Sequence, residues 1–99
     1  LPPKPTHLIC GMLNTKDIKA YLYPLASHIQ ALHAISIPNE INTLSAENTR
    51  DAAISVGMRA TAEADVMAAL NSIKAQDANA RVLICGSLYL AGMILRENG

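Results

Sequence analysis

Phenylalanine and tryptophan are missing from this chain, and three tyrosines, Tyr21, Tyr23 and Tyr89, are its whole aromatic complement. Any core it builds is therefore aliphatic. Charge of a single sign is missing too: eight basic residues balance eight acidic ones, with no Lys/Arg cluster. That balance argues against nucleic acid as the main partner, because backbone phosphates are bound by concentrated positive charge. No apolar run approaches the roughly 18 residues that a membrane-spanning helix needs. Cysteine is scarce. Cys10 and Cys85 occupy matching apolar contexts and read as buried free thiols rather than as a disulfide or a metal pair, which fits a reducing cytoplasm. His7, His28 and His33 share no ligand spacing and read as surface or internally satisfied histidines, so no metal site is expected. The chain opens at Leu1 without a charged leader and an apolar stretch, so it is expected to lack a signal peptide and to be a piece of a longer protein.

What is present suits one globular domain over residues 1–99. Apolar residues make up 51% of the chain, enough for a modest single core. Val82 to Cys85 is a short apolar run with β-branched members, the pattern of a buried strand, and Leu88 onward has helical spacing to about Glu97. Gly86-Ser87 lies between them. A small-residue turn from strand to helix bares backbone N–H groups to a carboxylate or phosphate. Leu8-Ile9-Cys10-Gly11 echoes Leu83-Ile84-Cys85-Gly86 and also precedes an expected helix.

The remaining elements follow the same alternation. Leu1-Pro2-Pro3-Lys4-Pro5 reads as an entering loop, and Thr6 to Met12 as the first strand. Asn14 is a candidate N-cap for a helix whose apolar face is Ile18, Tyr21, Leu22 and Leu25, with Asp17 at its positive end; Pro24 predicts a break near Tyr21–Tyr23. Leu32 to Ile37 is a second strand, ended by Pro38-Asn39. Ser45 caps a helix over Ala46–Val56 that Gly57 ends. A short strand at Met58–Thr61 and a helix over Ala62–Gln76, with Val66, Ala69, Leu70 and Ile73 on one face, precede the turn Asp77-Ala78-Asn79. Four strands alternating with four helices predict an α/β fold with a doubly wound parallel sheet in the order 3-2-1-4. The order reverses between the first and fourth strands, and ligands of such sheets bind at the carboxyl ends beside the reversal, where Gly11 and Gly86 would meet.

Gly11-Met12-Leu13-Asn14-Thr15-Lys16-Asp17, taken with Gly86-Ser87-Leu88-Tyr89-Leu90-Ala91-Gly92, resembles the C-terminal domain of the folylpolyglutamate synthase/dihydrofolate synthase family, within the wider Mur ligase group. The likeness extends over nearly the whole chain. It includes Pro38 after the second strand and the Ala-rich helix before the last loop, and the Gly-Ser-Leu-Tyr turn is its most specific part. The resemblance implies a three-layer, Rossmann-like domain of an enzyme that joins L-glutamate to folate or dihydropteroate in an ATP-dependent amide ligation through an acyl phosphate. It implies ATP and Mg held mainly by an N-terminal nucleotide-binding domain of the same chain, no intrinsic cofactor here, and a cytoplasmic protein. This sequence has no Gly-x-x-x-x-Gly-Lys-Ser/Thr phosphate loop, and no Asp-Gly-x-His-Asn-Pro stretch of the kind that opens the family's C-terminal domain one strand and helix earlier. If that first strand belongs between strands 1 and 4, its loss leaves a gap in mid-sheet. On its own the chain is expected to be inactive.

The candidate site follows from both lines. Ser87 and the N–H groups at Gly86 would grip a glutamate carboxylate; a helix N-cap is the plain structural alternative for Ser87, and both can hold at once. With no His or Asp nearby in sequence to activate it, Ser87 is not read as a nucleophile. The resemblance places Lys16 on the glutamate, with a solvated helix-start residue as the alternative. Asp17, Gly11 and Tyr89 are possible nucleotide or cleft contacts, against a dipole partner, a backbone requirement and a helix-packing tyrosine. Two readings of other classes stay open: a non-catalytic small-ligand binding or regulatory α/β domain, and an interaction module. The C-terminal domain of another Mur-type ligase is the nearest enzymatic alternative.

Overall fold

The computed structural model describes residues 5–14 and 17–86. Four parallel strands, β1 (Thr6–Gly11), β2 (Ala31–Ala34), β3 (Ala60–Ala62) and β4 (Arg81–Gly86), form one sheet in the order β3-β2-β1-β4. This is the doubly wound α/β arrangement that the strand–helix alternation predicts. β1 pairs with β4 along its whole length, from Thr6 opposite Arg81 to Gly11 opposite Gly86. The mid-sheet gap considered above is therefore absent.

Strand alternation divides the core into two halves. Leu8, Cys10, Leu32 and Ala34 point to one face and pack with Ile18 and Leu22 of α1 (Ile18–Leu22) and with Ala52 and Ala53 of α2 (Ala46–Ser55). Ile9, Ile35 and Ile37 point to the other face, under Ala69 and Ile73 of α3 (Val66–Gln76). Helices on both faces of a parallel sheet give three layers, and both halves of the core are aliphatic.

Local chemistry sets the element ends. Pro24 cannot continue an α-helix, and α1 stops at Leu22; residues Tyr23–His28 tighten into a 3₁₀ segment with Pro24 in its first turn. Ser45 Oγ accepts from Asn48 N at 3.0 Å and caps α2, and Gly57 ends it with a left-handed φ of 92°. α3 begins at Val66, where its apolar face begins, rather than at the expected Ala62: β3 runs over Ala60–Ala62 instead of Met58–Thr61, and Asp65 Oδ1 accepts from Ala68 N at 2.8 Å as the N-cap. Among the described residues there are three α-helices, and no helix is long and apolar enough to cross a membrane. The expected helix over residues 88–97 lies outside the described residues.

Candidate functional site

The strand order reverses between β1 and β4, so the crevice expected for a ligand lies at their carboxyl ends. Gly11 and Gly86 are register partners there, each the last residue of its strand. Gly11 is buried with ordinary extended backbone, so no left-handed conformation requires glycine there. Ser87, Lys16 and Tyr89 lie outside the described residues.

The N-cap role expected of Asn14 falls to Asp17. Asp17 is the N-cap of α1, with Oδ1 accepting from Ala20 N at 3.2 Å. Asn14 instead donates its backbone N–H to Asn42 O at 2.7 Å, and Leu44 N donates to Met12 O at 2.8 Å. The chain leaving β1 is thus strapped to the loop before α2, which delays the helix until Asp17. With one carboxylate oxygen committed to capping, Asp17 is first a structural residue of this edge.

One position back from the glycine pair, Cys10 stands opposite Cys85, and both side chains point to the α1/α2 face. Both thiols are free; Cys10 is fully buried and Cys85 half-buried. A hydrogen bond from Cys10 is the main influence holding the Cys85 thiol below its ordinary pKa, opposed by burial and aided by the Tyr21 hydroxyl. The same hydrogen bond, together with burial, pushes the Cys10 thiol up. Burial raises the Tyr21 hydroxyl, and the neighbouring Cys85 raises it further.

A second polar group lies on the α3 face. His7 Nδ1 and His33 Nε2 are 3.0 Å apart, with the rings stacked at a centroid distance of 5.2 Å, and both residues are buried. His33 Nδ1 is 3.3 Å from Glu63 Oε2, which also accepts from Thr61 Oγ1 at 3.0 Å. A carboxylate only accepts, so the His33 proton sits on Nδ1. In the neutral ring its Nε2 is then the acceptor for His7 Nδ1–H. Burial lowers the His7 pKa, the nearby His33 ring lowers it further, and Asp77 opposes both. These histidines are internally satisfied, as expected, but their union in one chain of hydrogen bonds is new. The signal for it was faint: His7-Leu8-Ile9 and His33-Ala34-Ile35 each put His two positions before an Ile on one face of strands expected to be neighbours. His28 is exposed on the 3₁₀ segment.

Among the described residues no group of three or more His, Cys, Asp or Glu side chains could hold a metal ion. A concavity of about 490 Å³ lies at the opposite, amino edge of the sheet, between Thr6, His28, Gln30 and Arg81. Another of about 370 Å³ borders His33, Thr61 and Arg59 beside β3. Neither is at the carboxyl edge of β1 and β4. No family model, curated protein or solved structure matches the chain.

Proposed function

We propose that this chain is the glutamate-binding part of the C-terminal domain of an ATP-dependent folylpolyglutamate/dihydrofolate synthase, an enzyme joining L-glutamate to folate or dihydropteroate. The observation that carries the reading is the junction of Gly11 with Gly86 at the reversal of strand order, the edge from which the Lys16-Asp17 and Ser87-Leu88-Tyr89 segments depart in sequence. Open α/β sheets bind ligands at that edge. The family resemblance of those segments supplies the identity of the ligand.

In this reading the chain binds and orients substrate. Lys16 pairs with one glutamate carboxylate. The Ser87 hydroxyl and the N–H groups of its turn hold the other. Two fixed carboxylates aim the glutamate amine at an acyl phosphate on the folate, and closure over the cleft excludes the water that would hydrolyse it. ATP and its magnesium are held mainly by an N-terminal nucleotide-binding domain of the same polypeptide.

The test is steady-state kinetics of the intact enzyme with Lys16→Ala and Ser87→Ala. Each should raise the KM for glutamate, with folate and ATP dependence little changed. Unchanged glutamate kinetics in both variants overturns the assignment.

A further inference from the structure

The geometry points to Cys10 and Cys85 as a redox-active dithiol that exchanges with low-molecular-weight disulfides and closes to an intramolecular bridge across β1 and β4. This inference does not rest on the ligase reading. The two residues are direct register partners on adjacent parallel strands and share a face. Adjacent strands run about 4.8 Å apart. Disulfides form at Cα separations of roughly 4.4–6.8 Å and Cβ separations of about 3.5–4.5 Å, so the Cα spacing fits and closure draws the two parallel Cβ atoms slightly together.

The two thiols are unequal, which sets the order of events. Cys85 is the half-buried member, beside the exposed Tyr21 on α1, and Cys10 lies fully buried behind it. The neighbouring Cys10 thiol and Tyr21 hydroxyl lower the Cys85 pKa against the opposing effect of burial, which favours its nucleophilic thiolate. Cys85 Sγ attacks one sulfur of the small disulfide, forming a mixed disulfide and releasing one small thiol, which takes up the Cys85 proton. Cys10 Sγ then attacks Cys85 Sγ and releases the second small thiol, which takes up the Cys10 proton. The protein loses two electrons and two protons, and the small disulfide becomes two thiols. The bridge would clamp the strands one residue before Gly11 and Gly86.

The experiment holds the full chain in a glutathione buffer rich in glutathione disulfide. The sample is quenched in acid, denatured, alkylated, and its intact mass measured. The expected product is a monomer with neither cysteine alkylated and no glutathione attached, restored to two alkylations by dithiothreitol. Cys10→Ser should instead stop at glutathione on Cys85, whereas Cys85→Ser should remain unmodified. In the unsubstituted chain, retention of two alkylatable thiols, a persistent glutathione adduct or a disulfide-linked dimer would each overturn the inference, whether or not the variants fold.

Discussion

The His7–His33 contact makes a quantitative demand on stability. In His33→Leu the replacement fills most of the ring's volume, so the cavity contribution is small. Glu63 keeps Thr61 as a donor and its side chain is 16% exposed, so water can reach it. His7 has no such relief. It is 1% exposed, and whichever ring nitrogen carries the proton, the one facing position 33 loses its partner. A buried polar group left unpaired costs about 1–3 kcal/mol. With a urea m-value of about 1–3 kcal/mol/M for a small domain, the midpoint should fall by about 1 M. His7→Leu should also destabilise, by orphaning His33 Nε2. The double variant, in which both partners become apolar, should recover most of the loss, leaving a coupling energy of about 1–3 kcal/mol. The same contact sets a pH dependence. His7 in the unfolded chain titrates near the model value of 6.5, whereas burial and the His33 ring, against Asp77, hold its folded value lower. This contribution to stability is complete above pH 6.5 and is lost as pH falls from there towards the folded pKa, because only the unfolded chain binds the proton in that window. The loss runs at no more than about 1.4 kcal/mol for each pH unit. Urea midpoints measured between about pH 7.5 and about pH 5.5 should fall for the native chain and lose this component in His7→Leu. Additive single substitutions, or an unaltered pH profile in His7→Leu, would refute the reasoning.

Three further substitutions probe the framework by urea unfolding. Asp65→Ala removes the 2.8 Å bond to Ala68 N and should cost about 1 kcal/mol as the first turn of α3 loosens. Gly57→Ala should cost about 1–2 kcal/mol through its φ of 92° alone, since an added Cβ meets nothing within 4 Å. Thr49→Val should be neutral or stabilising by about 1 kcal/mol, because the Thr49 hydroxyl is fully buried without a hydrogen-bond partner among the described residues.

Much of the fold was written locally. The cap at Ser45, the stop at Gly57 and the break at Pro24 depend on residues within one turn of where they act, and each lies where its chemistry requires. Strand order followed from helical crossovers between short apolar runs. Two of the departures have a common origin in longer contacts. α1 starts at Asp17 rather than after Asn14 because the segment leaving β1 is tied to Asn42 and Leu44, some thirty residues on. β2 ends at Ala34 although its apolar alternation continues through Ile37, because β3, its outer partner, reaches only Ala62.

The side-chain clusters expose a sharper limit. Apolar periodicity identifies the face a residue occupies but is silent on register, and register decides which polar side chains meet. Cys10 and Cys85 were readable as equivalents because both sit in the same Leu-Ile-Cys-Gly string, and in-register pairing of two identical strings necessarily opposes them. His7 and His33 had no such aid: β1 meets β2 with Ile9 opposite His33, so the histidines touch on the diagonal, and Glu63 joins them only because it follows the end of β3. Burying two imidazoles in an aliphatic sheet is tolerable only when each ring nitrogen at their contact is paired. The strand pairing that satisfies them is thus favoured over its one-residue slips, which would turn one histidine into the opposite layer and part it from the other.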